Sequence, residues 1–299
     1  GEKFTTKTLE KAKRRKRKLT SYDMKGHPKF KKKDRCKPSF AQPNEKLYFK
    51  NGCAILLKIG HVEIQTDYEL PQGRDVCKFY NPRVSYVNGK WILSFAMEVE
   101  KQDYALKDCS VGVDLGIKDL AVVSCEGDKM VFPNINKTRK VKRLNRHLKH
   151  AQRLAARKTK GSKNRRKAYE KCKRLCERLA SIRHDYTHKT TTKIADLLPS
   201  RIVVEDLNVR GMMKNRHLER AVAEQNFYKF RAQLEYKCEE RGIELVVANR
   251  FFPSSKKCSA CGAIHKGLKL KDRIFNCPHC GMSIDRDFNA ALNLENYVA

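Results

Sequence analysis

The sequence has no apolar run long enough to cross a bilayer, which argues against a membrane-spanning helix within these residues. It opens on Gly1, not Met, and on no signal-peptide pattern, so the expectation is a start set by processing or cloning. A disulfide framework is missing as well. Of 12 cysteines, four form two Cys-x-x-Cys knuckles near the end and the others are scattered, which points to a reducing compartment with one metal site. Acidic residues are scarce, with Asp+Glu 33 against Lys+Arg 66 and a formal charge of +33. That excess is beyond what solubility needs and implies a large polyanionic partner, a membrane surface being the poorer reading. The 299 residues leave room for roughly two domains and a sizeable core.

What is present begins with a basic arm over about residues 1–35, densest at Lys11-Ala12-Lys13-Arg14-Arg15-Lys16-Arg17-Lys18. A solvated arm and an ordered nucleic-acid contact are both open there. Pro28-Lys29-Phe30-Lys31-Lys32-Lys33 sets an aromatic among cations and leans toward nucleic acid. From Leu47 to Val99 the runs are short and β-rich: Cys53–Ile59 and His61–Ile64 flank Gly60, and Asn88-Gly89 is the turn of a hairpin over 84–99. A small antiparallel barrel or sandwich with a binding or scaffolding role is expected.

The chain is organised around Ser110-Val111-Gly112-Val113-Asp114-Leu115-Gly116. Val111, Val113 and Leu115 alternate with Gly112, Asp114 and Gly116, a strand with one apolar face and a lone carboxylate on the other. Glycine inside a strand marks close approach by a ligand or another backbone. Strands are expected again over 119–124 and 129–132. Between Lys137 and Ile194 the pattern becomes helical and basic, broken at Gly161-Ser162. Leu144, Leu148, Ala151 and Ala155 form one apolar stripe, and Tyr169, Cys172, Leu175, Cys176 and Leu179 form a second, ending at Ile194-Leu197-Leu198. This predicts a helical hairpin with cationic flanks and with Cys172 and Cys176 as small core residues. Arg201–Glu205 and Ile243–Ala248 read as strands, with a helix through Phe227, Phe230, Leu234 and Cys238 stopped at Arg241-Gly242. Asp206 should point away from Glu205 by strand alternation. The fold class is α/β.

Cys258-x-x-Cys261 and Cys277-x-x-Cys280, fifteen residues apart, have zinc-ribbon spacing. Four sulfurs can close around one tetrahedral Zn²⁺ with no open position, so the site is structural, and His265 and His279 are surplus surface residues. A helix follows with acids at its start, Asp285-Arg286-Asp287.

Asp114, Glu205 and Asp287 each sit where an α/β sheet presents a ligand edge. If they converge, they make an all-oxygen site for two Mg²⁺ ions, one to activate water and one to stabilise the leaving 3′ oxygen of a phosphodiester. Spacing alone leaves open that they are three unrelated acids.

Val111-Gly112-Val113-Asp114-Leu115-Gly116-Ile117-Lys118 and Val203-Val204-Glu205-Asp206-Leu207-Asn208 resemble the first two motifs of a RuvC-type nuclease. Phe252-Pro253-Ser254-Ser255, the knuckles and Asp285-Arg286-Asp287-x-Asn289-Ala290-Ala291-x-Asn293 supply a ribbon and a third motif. In this order they resemble the TnpB family of transposon-encoded, RNA-guided nucleases, relatives of the type V CRISPR effectors. The resemblance implies an RNase H-like (RuvC) core with an inserted basic hairpin and zinc ribbon, preceded by a small β-barrel-like wedge domain. The implied boundaries are a basic arm with a remnant of the recognition and wedge region (1–45), wedge (46–105), core (106–136), hairpin (137–198), core (199–252), ribbon (253–282) and core (283–299). It implies Mg²⁺-dependent DNA cleavage at Asp114, Glu205 and Asp287, the Asp-x-Asn pattern favouring Asp287 over Asp285. It implies guide RNA and target DNA as partners and a prokaryotic cytoplasm, at the nucleoid. Expected nucleic-acid contacts are Lys29, Lys31, Lys32, Arg139, Lys142, Arg143, Arg146, Arg153, Arg157, Arg165 and Arg166. The resemblance also implies one departure, a start part-way through the family's N-terminal recognition region. Rival readings are a non-cleaving guided DNA binder, a zinc-ribbon RNA-binding protein and a guide-independent structure-specific nuclease.

Overall fold

A computed structural model of the chain describes residues 5–14, 16, 18–19, 23–24, 36, 38–66, 68–73, 78–87, 89–99, 102–269 and 272–298. The cationic run Pro28–Lys33, with Lys29, Lys31 and Lys32, lies outside the described residues, as does Asn88. The chain divides into two units, Gly1–Val99 and Glu100–Ala299.

The first unit holds helix α1 (Thr6–Arg14) and strands β1 (Ser39–Ala41), β2 (Tyr48–Lys50), β3 (Cys53–Leu56), β4 (Gly60–Glu63), β5 (Phe79–Val87) and β6 (Lys90–Met97). They pair as two antiparallel sheets, β1-β5-β6 and β2-β3-β4. Phe49, Phe79 and Phe95 meet between the sheets at ring distances of 5.1–5.5 Å, two of the three pairs edge-on. Such contacts add to the area buried by Leu47, Ala54, Leu56 and Val84 around them. Pro82, which has no N–H to donate, falls where the β5 register shifts. The strand expected to run to Ile59 ends at Leu56. Lys58 turns into the left-handed region (φ 67°), which exposes Leu57 and Ile59.

The second unit is mixed α/β. Strands β7 (Lys107–Leu115), β8 (Asp119–Cys125) and β9 (Asp128–Pro133) form an antiparallel meander. Helices α2 (Arg139–Ala156) and α3 (Lys163–Ala195) follow, then β10 (Pro199–Glu205), α4 (Val209–Met212), α5 (Glu219–Gln225), α6 (Phe227–Arg241) and β11 (Glu244–Ala248). The end of the chain adds β12 (Ile274–Asn276), β13 (Ser283–Asp285) and α7 (Arg286–Glu295). The sheet order is β11-β10-β7-β8-β9, with β10 parallel to both of its neighbours. Val111, Val113 and Leu115 pack with Ile202 and Val204 against Ile194 of α3 and Phe230 and Leu234 of α6. On the other face Val203 and Ala248 pack against Leu294 of α7. A parallel strand covered on both sides reads as the unbroken apolar run Ile202-Val203-Val204.

Helices α2 and α3 pair through Val141, Leu144, Leu148, Ala151 and Ala155 against Cys172, Leu175, Leu179 and Ile182. Thr138 and Ser162 cap their N-termini, accepting from the amides of Val141 and Arg165. Two members of the expected stripe are corrected: Tyr169 and Cys176 are exposed, because the seam after Cys172 runs through Leu175 and Leu179. The helix also stops earlier than the apolar pattern suggests. Asp196 caps it, and Leu198 turns left-handed (φ 53°) ahead of Pro199.

Gly112 explains how α7 reaches the sheet. A Cβ built there would overlap the carbonyl oxygen of Ala291 and the amide nitrogen of Glu295, both backbone atoms of α7. The close approach foreseen for this glycine is to another backbone. Gly112→Ala is expected to destabilise the chain by at least about 1–3 kcal/mol, the cost of overpacking, because backbone cannot yield as a side chain would. A urea melt of the variant checks this, and an unchanged midpoint would mean that α7 does not seat on β7.

Candidate functional site

Asp114 stands near the end of β7, on the face that α7 covers, and Glu205 closes the neighbouring strand β10. The register pairs Val204 with Val113, so the next residues along, Glu205 and Asp114, arrive side by side. Asp287 enters from the first turn of α7. The Asp114 carboxyl, when protonated, donates to Glu205, and both keep some surface open to solvent. Burial pushes the Asp114 carboxyl well above the ordinary carboxylate range, and the charges of Glu205 and Asp287 push it the same way. Burial also raises Glu205, against the lowering effect of hydrogen bonds from Ser254 and Asp114. The three carboxylates thus converge, and the pair at the centre is short of positive charge.

The two neighbouring acids have other work. Asp206 points away from Glu205, into ion pairs with Arg250 and Arg231. Asp285 caps α7, accepting from the Phe288 amide at 3.0 Å, with Lys129 at 3.4 Å and Lys118 at 3.9 Å. Burial raises its carboxyl, but that amide and the two lysines outweigh it and leave the pKa lowered. Among the acids at the start of α7 it is therefore Asp287 that faces the pair.

Several residues around the pair stand in the motifs quoted from the sequence, which assigned them no individual role. Ser254 donates to Glu205, and Arg286 lies 3.3 Å from the Asp287 carboxylate. Asn289 and Asn293 are buried on α7 and bind backbone of the first knuckle. Asn293 donates to the carbonyls of Ser254 and Lys257 at 2.7 Å, and Asn289 donates to Lys257 and accepts from the Ser259 amide. The signal was present, since two asparagines four apart inside a helix are poor helix formers and need a reason. Beside Glu205 opens a cleft of about 600 Å³, with Arg210, Tyr228, Arg231 and Arg250 on its walls.

The knuckles assemble as expected. Cys258, Cys261, Cys277 and Cys280 form one cluster, with Cys258–Cys280 and Cys261–Cys277 sulfurs 3.6 Å apart. Each turn closes through a glycine amide, Gly262 to Cys258 and Gly281 to Cys277, at left-handed φ of 75° and 74°. The backbone amide of Cys280 lowers the Cys277 thiol to about 6. Four such sulfurs can hold zinc. His279 is exposed, but the surface position expected for His265 is corrected: its ring is half-buried, edge-on to Phe275 inside the ribbon.

Arg139, Arg143, Arg146, Arg153 and Arg157 lie exposed along one stripe of α2, about 27 Å long at the helical rise, with Lys142 exposed beside them. Arg166 is exposed and pairs weakly with Glu170 at 4.0 Å. Arg165 is instead half-buried over the ring of Tyr169, at 5.4 Å. Among the described residues no helix is long and apolar enough to cross a membrane.

The carboxylate pair carries a pH prediction. Its raised values mean that the folded chain holds a proton that the unfolded chain has released. The associated stability is full below the ordinary carboxylate range and is lost as pH rises through the raised values. Asp114→Asn removes that loss, so in Mg²⁺-free buffer the variant should melt higher than the wild type at pH 7–8 and no higher below about pH 4. Each full unit of elevation is worth about 1.4 kcal/mol. Melting curves across pH check this, and a variant that is less stable at pH 8 would contradict it.

Comparison with known proteins bears on what this site belongs to. The family model described as "Probable transposase" matches residues 94–216, and that described as "Cas12f1-like, TNB domain" matches residues 227–294. A "Putative RNA-guided DNA endonuclease" of Streptomyces pristinaespiralis is 34% identical over 269 residues, covering 90% of this chain and 64% of that protein. "Putative RNA-guided DNA endonuclease InsQ" of Escherichia coli (strain K12) is 32% identical over 284 residues, covering 89% of this chain and 67% of that protein. The chain therefore spans about two thirds of the length of these relatives. A solved structure of a CRISPR-Cas12f ternary complex aligns with a TM-score of 0.49 at 20% identity, covering 75% of this chain and 46% of that one. Given the relatives matched over about nine-tenths of its length and the two family models in sequence, the chain belongs to the TnpB family of transposon-encoded proteins, whose relatives are named RNA-guided DNA endonucleases.

Proposed function

We propose that the chain carries the catalytic part of an RNA-guided DNA endonuclease associated with a transposable element, hydrolysing phosphodiesters with two Mg²⁺ ions held by Asp114, Glu205 and Asp287. The observation that carries this is the convergence of three carboxylates, two of them hydrogen-bonded and raised by burial and mutual repulsion. The donor set fits the ion: all oxygen, partly open to solvent, and lacking the positive charge that a hard divalent cation would bring. When bound, such ions supply an activated water and a stabilised leaving oxygen. The chain's own residues hold the geometry. Ser254 orients Glu205, Arg286 flanks Asp287, and α7 brings Asp287 over the end of β7. The strand order, with a meander joined to two parallel strands, is what an RNase H-like core over residues 106–136, 199–252 and 283–299 would carry.

The remaining parts take supporting roles in this reading. A structural Zn²⁺ on Cys258, Cys261, Cys277 and Cys280 would stiffen the ribbon (253–282), and Asn289 and Asn293 tie that ribbon to the helix bearing Asp287. The sheets over 46–105 serve as the wedge, behind the arm at 1–45. The arginine stripe on α2, in the hairpin at 137–198, lies along the phosphates of the guide RNA or its duplex with target DNA, where charge matters and sequence does not.

Two experiments test this. Asp114→Ala, in the chain complexed with its guide RNA, should abolish Mg²⁺-dependent cutting while leaving RNA affinity nearly intact, since a lost metal ligand removes several kcal/mol of transition-state stabilisation. Near-normal cutting would remove Asp114 from the mechanism, and guided binding without cutting by the wild type would favour a non-cleaving binder. Neutralising Arg143, Arg146, Arg153 and Arg157 together should flatten the salt dependence of RNA binding, by roughly 0.7–0.9 in log–log slope for each phosphate left without its arginine. An unchanged slope would return α2 to a solvated face.

A further inference from the structure

A second cluster of soft ligands lies in the same sheet, away from the three carboxylates. Cys109 sits near the start of β7, Cys125 ends β8, and Glu126 opens the turn to β9. Val111 pairs with Cys125, which sets Cys109 diagonally across the ladder. The sulfurs of Cys109 and Cys125 and a carboxylate oxygen of Glu126 all lie within 4.8 Å of one another. In the zinc-ribbon cluster the sulfur contacts are 3.6 Å, so modest contraction would bring this set around a single ion. Five residues of extended strand, about 17 Å, separate Cys109 from Asp114, so the two sites are distinct.

The turn gives an independent reason to look for a ligand. Glu126 and Gly127 both adopt left-handed φ, at 51° and 80°. The first position of such a two-residue hairpin favours Asn, Asp or Gly, and a glutamate there carries backbone strain. Strain of this kind persists where a side chain has to be held in place. Here it holds a carboxylate beside two thiols. The last residue of α7, Glu295, accepts from Ser124, and its charge also acts on Cys125. A helix C-terminus further favours positive charge. In a chain with twice as many basic as acidic residues, this corner gathers two carboxylates and two thiols, and among the described residues no lysine or arginine pairs with Glu126. A disulfide between the cysteines would account for the sulfurs but not for the glutamate.

We propose that Cys109, Cys125 and Glu126 form a second site for a divalent cation of the Zn²⁺ class, independent of the ribbon and of the nuclease centre. Two thiolates and one carboxylate suit a borderline-soft ion in tetrahedral geometry. Binding deprotonates both thiols, releases two protons to solvent, forms two metal–sulfur bonds and one metal–oxygen bond, and changes no oxidation state. Solvent completes the fourth position, since Glu295 is engaged by Ser124 on the α7 side of the sheet. The ion would clip the β8–β9 turn to β7, next to the end of the helix that carries Asp287.

The test is a Co²⁺ titration of the whole chain under reduction, after removal of bound metal, counting only sulfur-ligated ions by their thiolate-to-cobalt charge-transfer band. The wild type should take up two equivalents, and Cys109→Ser and Cys125→Ser one each. Glu126→Gln should retain both but bind one of them at least tenfold more weakly. The metal-free melting temperature of each variant, matched to the wild type, separates a lost ligand from a lost fold. One equivalent in the wild type would overturn the proposal, as would two in Cys109→Ser. So would a mass 2 Da low from a Cys109–Cys125 disulfide that forms in place of metal uptake.

Discussion

The seating of α7 on Gly112 is the contact on which the rest of the second unit depends. A helix can lie this close to a sheet only where a strand residue has no side chain, and here the backbone of Ala291 and Glu295 occupies the space a Cβ would need. Because α7 is rigid, its position over Gly112 also sets where its first turn falls, and so where Asp287 stands relative to Asp114 two residues further along β7. One absent methyl group therefore positions a carboxylate at the other end of the helix. The same helix presents Asn289 and Asn293 to the first knuckle, so sheet, helix and ribbon form one mechanical unit.

Bringing three carboxylates together works against folding. Burial and mutual repulsion raise Asp114 and Glu205, and the cluster is offset only partly by Arg286 and by the hydroxyl of Ser254. Acids placed for structure look different in the same molecule: Asp285 gains an amide and two lysines, and Asp206 gains two arginines. In the proposed function, that retained unfavourable charge is what the Mg²⁺ ions would offset.

The cationic surface follows another logic. The arginines of α2 are exposed and spaced by the helical repeat, while the opposite face buries Val141, Leu144, Ala151 and Ala155 against α3. The apolar seam gives the hairpin its rigidity and the charges take no part in its core. Arg165 differs because it stacks on Tyr169, which engages part of its charge within the helix.

What the sequence by itself determined was whatever repeats over a short span. Strand alternation around Asp114, the helical period of α2 and α3, the glycine stop at Gly242 and the knuckle spacing are set by neighbours a few residues apart, and all of them hold in the fold. The local pattern failed where tertiary packing chose between equivalent residues. Tyr169 and Cys176 share a helical phase with core positions yet face water, and the strand toward Ile59 was cut short by a turn at Lys58. Only the tertiary structure decided the convergence of Asp114, Glu205 and Asp287, the hold of Ser254 on Glu205, and the meeting of Cys109, Cys125 and Glu126. Those groups lie far apart along the chain or meet only through strand pairing. No local periodicity encodes such a distance, because it is fixed by which elements pack and how closely, and here by a helix resting on a glycine.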